Sequence, residues 1–299
     1  MKVAVVGGTG FVGRHVVRRL LEKTFEVVNI DKLSSEQLYP GEQVLLCDLH
    51  ADDGAARAAR DAGEIGGAVW LAATIRQVTS IDDSAEDDLV TMVEAPLAFL
   101  TALSPQPKVF VYISSIQVYG KPVTLPVDET HPTDPFTAYG VAKLCAEHYL
   151  RIACDKAGVR FVSLRLAFVY GPGQHFSNVI PKFLTEAAKH QSPIIKGDGK
   201  EIRDDVYVED VADAVASAIE MDCSGTFNIS SGQPHTLLTV ANEICALTGN
   251  LVQPVVTPEK SDWVDRWYTV AKAEKQLNFK ATPLEQGLRK TWQDLAKQV

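Results

Sequence analysis

Little in this chain points to an oxidising compartment or to a metal. Its 299 residues hold five cysteines, Cys47, Cys145, Cys154, Cys223 and Cys245, scattered without a C-x-x-C pair or a Cys/His ligand spacing. That pattern excludes a disulfide framework and leaves no structural zinc site, so a reduced, cytoplasmic setting and no metal are expected. The chain is also short of positive charge. A net charge of −9 argues against nonspecific binding to nucleic acid or to an anionic membrane surface. A small anionic substrate stays open, because it needs only a local basic pocket. Long uncharged apolar runs are missing too. The opening "MKVAVVGGTGFVG" is broken at once by glycines and reads as neither a signal peptide nor a membrane span. Internal repeats and low-complexity tracts are absent.

What is present is globular. Hydrophobic residues make up 46% of the chain and charged residues 22%, ordinary values for one large or two modest domains. Short apolar runs alternate with helical patterns. "KVAVVGG", "FEVVNID", "QVLLCDL", "GAVWLAA", "KVFVYISS" and "RFVSLRLAFVYG" read as six buried strands. Between most of them lie "GRHVVRRLLEK", "DDGAARAARDAG", "SAEDDLVTMVEAPLAFLTAL" and "AYGVAKLCAEHYLRIACDKAG", each with helical spacing. Apolar strands alternating with helices predict an α/β fold, a doubly wound parallel sheet of the dinucleotide-binding type. After Gly171 the rhythm changes to shorter strands and helices, with two helices expected in 237–299. The expected division is a dinucleotide-binding domain over 1–171, to which 206–230 returns, and a smaller α/β lobe over 172–299 that binds substrate.

Gly7, Gly10 and Gly13 form G-x-x-G-x-x-G between the first strand and the first helix. Such glycines permit a tight turn and let backbone N–H groups approach a pyrophosphate at the positive end of the helix. Asp31 ends the second strand 18 positions after Gly13. A carboxylate there can accept hydrogen bonds from ribose hydroxyls and repels a 2′-phosphate, which favours NAD over NADP. Lys32 beside it pulls the other way. Asp48 ends the third strand, where it can reach the adenine edge or cap the following helix.

Tyr139 and Lys143 lie four apart on the helix that follows the fifth strand, so they share a face. An ammonium beside a phenol stabilises the phenolate, which can bring a tyrosine toward working pH as a general base. Ser114 and Ser115 end the fifth strand at the edge where doubly wound sheets bind ligands, and a hydroxyl there can hydrogen-bond a substrate oxygen.

With these residues in place the chain resembles the extended short-chain dehydrogenase/reductases, the NAD-dependent epimerase/dehydratase group that works on nucleotide sugars. The matching runs are "GGTGFVG", "CDL", "LAA", "ISSIQVYG", "YGVAK", "RLAFVYGPGQ", "GDGKEIRDDVYVEDVADAV" and "TFNISSGQPHTLLTVANEI". The resemblance implies Tyr139 as the base, Lys143 as its partner and Ser115 as the residue that steadies the substrate oxygen. It implies that NAD is held by the glycine turn with Phe11 and Val12, by Asp31 and Lys32, by Asp48 and Leu49, by Leu71, Ala72 and Ala73, and by Ser114, Tyr139 and Lys143. For substrate it implies Arg203 against a pyrophosphate, Asn178 and Val179 against the nucleotide, and Ile195 against the base. A salt bridge with Asp204, Asp205 or Glu201 is the other reading of Arg203, and core packing the other reading of the apolar positions. Arg76 in the polar loop after the fourth strand, Gln117 and Phe168 complete the candidate substrate set.

Several positions depart from the family pattern. Ile116 and Gln117 stand where dehydratases carry acidic residues, which disfavours elimination of water. Phe168 and Met92 replace asparagines, Glu259 stands where a second arginine is expected, and Asp205 replaces an aromatic residue. The implied activity is epimerisation of a nucleotide sugar through a transient 4-keto sugar, with UDP- or dTDP-hexose as the type. The alternative is a net NAD(P)-dependent dehydrogenase or reductase acting on a sugar, sugar nucleotide or related alcohol. A homodimer paired through the helices near 85–103 and 139–157 is also implied.

Overall fold

The computed structural model describes residues 1–33, 39–73, 85–249, 252–259 and 263–297. Seven strands build the main sheet: β1 (Lys2–Val6), β2 (Glu26–Asp31), β3 (Glu42–Leu46), β4 (Gly67–Trp70), β5 (Val109–Ser115), β6 (Arg160–Leu166) and, much later, Gly225–Ile229. All pair in parallel, in the order β3-β2-β1-β4-β5-β6 followed by Gly225–Ile229 at the edge. The order reverses between β1 and β4, and a crevice opens there at the carboxyl ends of the strands. Every residue of β5 is buried, as expected for a central parallel strand covered on both faces.

Successive residues of β1 face opposite layers. Val3 and Val5 pack against α1 (Phe11–Glu22), while Ala4 and Val6 face α2 (Gly54–Ala62) and the helices after β4. The second of those layers also holds α5 (Ala138–Ala157). The Thr137 hydroxyl caps the start of α5 by accepting from the Gly140 N–H at 3.0 Å, and Gly158 closes its end in the left-handed conformation at φ +69°.

The helix expected over "SAEDDLVTMVEAPLAFLTAL" is not continuous. It runs as α3 (Ala85–Leu89), a π-helical turn over Val90–Glu94 and α4 (Ala95–Ala102). The cause lies in local chemistry. The Ala95 N–H bonds back to the Val90 carbonyl, which leaves the Thr91 carbonyl without its usual helical donor. Pro96 has no N–H to give the Met92 carbonyl. Two buried side chains take these places: the Trp70 indole donates to the Thr91 carbonyl at 3.2 Å and the Tyr112 hydroxyl to that of Met92 at 3.1 Å.

The run "RFVSLRLAFVYG" is likewise two strands, not one. Beyond Leu166 both neighbours of β6 have ended, β5 at Ser115 and the edge strand at Ile229, so the ladder has no partner left. The chain turns away and forms β7 (Phe168–Tyr170). Then follow α6 (Val179–Ala188), β8 (Ile194–Lys196), β9 (Ile202–Arg203), β10 (Asp205–Tyr207), α7 (Val208–Glu220) and the edge strand itself, β11 (Gly225–Ile229). β10 pairs with β7, and α7 packs back on the main sheet beside α1.

The C-terminal stretch holds more than the two expected helices. It comprises β12 (His235–Thr236), α8 (Leu237–Leu247), β13 (Val255–Thr257) in the proline-containing link, α9 (Ala271–Leu277) and α10 (Leu284–Leu295). Helices α6, α8 and α10 close over β7 and β10 around a third core containing Tyr170, Phe183, Leu184 and Ile244. Helix α9 instead joins the core of the main sheet. Among the described residues no helix is long and apolar enough to cross a membrane.

Candidate active site

A cavity of about 650 Å³ lies at the carboxyl ends of β1, β2, β4 and β5. The glycine turn forms its floor. Gly7 has φ +87°, and a Cβ added there would meet the Ala72 nitrogen at 2.7 Å. A Cβ on Gly13 would come within 2.2 Å of the Gly7 carbonyl oxygen. Only glycine lets the turn and the first turn of α1 approach this closely. Asp31 faces the turn from the end of β2, its carboxylate accepting from the Thr9 N–H at 3.1 Å and the Leu33 N–H at 3.2 Å. Asp48 accepts from the His50 N–H at 3.0 Å and lines the same cavity. It does not cap α2, whose first turn follows Asp53.

Every residue that the sequence assigns to the dinucleotide lines this one cavity: the glycine turn with Phe11 and Val12, Asp31, Lys32, Asp48, Leu49, Leu71, Ala72, Ala73, Ser114, Tyr139 and Lys143. The cavity also takes in residues that sequence reasoning missed, among them Thr9, His50, Thr91 and Gln174. Thr91 sits on the π-helical turn, and its hydroxyl meets His50 Nε2 at 3.0 Å. The proline at 96, in the interior of a run that reads as one helix, was the available signal for that distortion.

Ser115, Tyr139 and Lys143 meet at the far side of the cavity. Ser115 Oγ accepts from the Gln117 N–H at 3.2 Å, which fixes the hydroxyl at the head of the short 3-10 turn Ile116–Tyr119. Lys143 is 1% exposed and donates to the Ile113 carbonyl at 2.7 Å, with its ammonium 4.8 Å from the Tyr112 ring centroid and 5.6 Å from that of Tyr139. Burial lowers Lys143 to about 7, opposed by the charges of Glu147 and Asp88. Glu147, one turn further along α5, is itself held by Arg165 at 2.6 Å and Ser163 at 2.9 Å.

The expectation that the lysine draws the Tyr139 phenol down toward working pH is not met in the protein alone. Burial pushes Tyr139 up to about 12, a hydrogen bond with Ser115 opposing and the charge of Asp88 adding to the rise. The reason is that desolvation of the phenol itself is the largest influence on it, and the lysine beside it is lowered by burial as well.

The candidate substrate residues are less concentrated. Asn178 lines the cavity and stands before α6, its amide donating to the His175 carbonyl at 3.2 Å. Gln117 is exposed and does not line the cavity, and its side-chain oxygen accepts from the Thr137 hydroxyl at 2.9 Å. Val179, Phe168, Ile195 and Arg203 are not among the lining residues. Ile195 packs in the third core at 1% exposure. Arg203 is buried, in a two-point ion pair with Asp205 at 2.8 and 3.2 Å. Its guanidinium lies 4.7 Å from the Phe168 ring centroid and 5.3 Å from that of Trp263. Two departures from the family pattern thus meet on one arginine: Asp205 holds its edge and Phe168 its face. Glu259 pairs with Lys196 at 2.8 Å, Met92 is fully buried on the π-helical turn, and Arg76 lies outside the described residues.

A dinucleotide fits this cavity on two counts besides its shape. The Ser114 hydroxyl is buried there without a hydrogen-bond partner among the described residues. The turn between Gly7 and Gly13 is open to close approach because no Cβ fills it. Fold and site together define a dinucleotide-dependent enzyme built on a doubly wound sheet. The chain belongs to the NAD dependent epimerase/dehydratase family, whose model matches residues 3–230. It is 28% identical over 296 residues to a putative UDP-glucose 4-epimerase of Methanocaldococcus jannaschii, covering 96% of each chain. Among solved structures it is similar to the UDP-glucose 4-epimerase of Thermotoga maritima with UDP-glucose, at 29% identity and a TM-score of 0.90, covering 100% of this chain and 99% of that one. The UDP-glucose 4-epimerase of Thermus thermophilus in complex with NAD is similar at 28% identity and a TM-score of 0.85, with 100% of both chains covered.

Proposed function

We propose that this protein is an NAD-dependent nucleotide-sugar 4-epimerase. The observation that carries the reading is the meeting of Ser115, Tyr139 and Lys143 at one end of a cavity whose other end is the glycine turn and Asp31. NAD, held along that cavity, supplies reversible hydride acceptance from the sugar C4. Tyr139 is the group placed to take the proton of the C4 hydroxyl and later return it. Ser115 steadies the same oxygen as it passes from alcohol to ketone and back. Lys143 holds the nicotinamide ribose and stands behind the Tyr139 ring. Most of the rate then comes from positioning, since the reacting atoms are held together.

The same proposal covers the finer assignments. Residues 1–171 together with 206–230 hold the cofactor, and 172–299 supply most of the sugar-nucleotide lobe. Asn178, Val179, Gln117, Arg76, Ile195, Phe168 and Arg203 are the substrate set, with Arg203 meeting the diphosphate. Ile116 and Gln117 put no acid beside Ser115, which favours return of the ketone to an alcohol over loss of water. The outer face of α5 exposes Val141, Tyr149 and Ile152, at 51%, 57% and 46%. That apolar face supports a homodimer paired through α5. Free cysteines throughout support a cytoplasmic setting.

The test is the cofactor content of the protein purified without added NAD. Near-stoichiometric NAD released on denaturation is expected, since an epimerase regenerates its cofactor within each cycle. A protein that emerges empty and reduces added NAD in the presence of sugars or alcohols would move the assignment to net dehydrogenation.

A further inference from the structure

Helix α1 carries more than the positive end behind the glycine turn. His15, two residues after Gly13, is buried, and the Phe11 ring meets it edge-on at a centroid distance of 6.0 Å. Its Nδ1 lies 2.5 Å from a carboxylate oxygen of Glu209 on α7. Its Nε2 lies 3.0 Å from the backbone carbonyl oxygen of Pro172. Both partners are acceptors. Glu209 is held below its ordinary range: burial would raise it, and the hydrogen bonds and charges of His15 and Arg18 outweigh that, so it is a carboxylate. A backbone carbonyl can only accept. A neutral imidazole donates from one nitrogen only, so the two contacts are satisfied together only by the imidazolium.

Pro172 begins the segment that passes over the cavity. Gln174, His175 and Asn178 from that segment line it, and Asn178 leads into α6. The segment is otherwise lightly tied to the sheet. Gln174 donates to the Val169 carbonyl at 2.7 Å, and a Cβ added at Gly173 would come within 3.3 Å of the Arg14 guanidinium of α1. His15 therefore joins the cofactor turn to the candidate substrate segment. We propose that His15 is a positioning residue that fastens the 171–178 segment over the cavity as an imidazolium, and that this fastening, and with it affinity for the sugar nucleotide, weakens as pH rises. The affinity clause rests on the function proposed above; the fastening does not.

The direction follows from which proton leaves. The carboxylate of Glu209 is the stronger acceptor, so the proton that remains on a neutral ring stays on Nδ1. Nε2 then turns a lone pair toward the Pro172 carbonyl oxygen, and attraction becomes repulsion. The charged groups around the ring do not reverse this. Arg14, Arg18 and Arg19 lie on α1 with Glu22, Arg18 is paired with Glu209, and Arg19 is paired with Asp213. Glu209 and Asp213 come from α7, Tyr207 from the end of β10 and His175 from the segment itself. Of these, Glu209 alone hydrogen-bonds the ring.

The experiment is amide hydrogen exchange of residues 171–178, expressed as protection factors, from about pH 5.5 to about pH 9 across the imidazole range. It is run on the wild type, His15→Leu and Glu209→Gln, alongside KM for UDP-glucose. In the wild type, protection is expected to fall about tenfold as pH rises, the scale of one charge-assisted hydrogen bond, with KM rising in parallel. His15→Leu should show low protection at every pH. Glu209→Gln should keep protection at high pH, because the amide can donate to Nδ1 and leave Nε2–H on Pro172. A pH dependence that persists in both variants, or protection in His15→Leu equal to that of the wild type at the acid end, overturns the fastening. Protection that changes as described while KM stays flat overturns the link to substrate affinity. A protein that shows the exchange pattern but never turns over a nucleotide sugar contradicts the function above and leaves the fastening standing.

Discussion

The two ends of the ligand-binding region are built in different ways. At the cofactor end, fifteen assigned residues from six separate stretches converge on one cavity. At the substrate end, one of the assigned residues within the described chain lines that cavity, and Arg203 and Phe168 are engaged with each other. The cofactor end is made of backbone. Close approach of Gly7 to Ala72 and of Gly13 to Gly7 fixes the turn, and parallel pairing of β1 with β2 and β4 places Asp31 and Ala72 beside it. Such geometry tolerates few side chains, so it leaves a readable pattern. The residues assigned to the substrate end are side chains from β7, β9, β10 and the segment near Trp263 that pack on one another. There Asp205, at a position where the resemblance implies an aromatic residue, holds the neighbouring Arg203.

The widest separation between the two ends should come from Tyr139→Phe. The substitution removes one hydroxyl and keeps the ring against Lys143. Turnover should fall about a thousandfold while bound NAD stays at the wild-type level. Activity within a few-fold of wild type would take Tyr139 out of the base role.

Lys143→Met sharpens the contrast between chemistry and stability. Burial lowers Lys143 to about 7, against about 10.4 in an unfolded chain. Between those values the unfolded chain binds a proton that the folded chain does not, so the penalty of burying the lysine shrinks as pH rises. At and below about pH 7 the penalty is fully present, and above about pH 10.4 it is gone. In the cofactor-free protein, Lys143→Met should therefore raise Tm at neutral pH, with the gain fading toward pH 10, while turnover is lost. Calorimetry across that range checks it, and a gain that does not change with pH would contradict the buried-charge account.

Asp205→Asn tests the substrate end alone and should have the smallest effect. It takes away the charge that holds the Arg203 edge while leaving the stack with Phe168 and Trp263. KM for the sugar nucleotide should change by about tenfold and NAD content should not move. A loss of bound NAD would show that the two ends are not separable in this way.

The doubly wound sheet was legible because its strands are uninterrupted apolar runs and its helices have a clear period. The meeting of Ser115, Tyr139 and Lys143 in one cavity was legible because Tyr139 and Lys143 follow a strand that ends in two serines. Two features were not. Nothing local to "RFVSLRLAFVYG" says that both neighbours of β6 stop short, so the break at Ala167 depends on partners distant in sequence. The lowering of the phenol by its lysine was an inference from two side chains in isolation. Burial of both groups dominates in the folded chain and moves them the other way. Arg203 lies between these cases. The ion pair with Asp205 was one of its two readings from sequence, but the rings that cover it come from residues 35 before and 60 after it.

The most direct test of the central claim is proton NMR of UDP-glucose incubated in D2O with the protein as purified, without added NAD. A C4 epimer that keeps hydrogen at C4 is predicted, because the hydrogen removed from that carbon is returned to it within one closed cycle. No epimer, or deuterium at C4, would contradict the account.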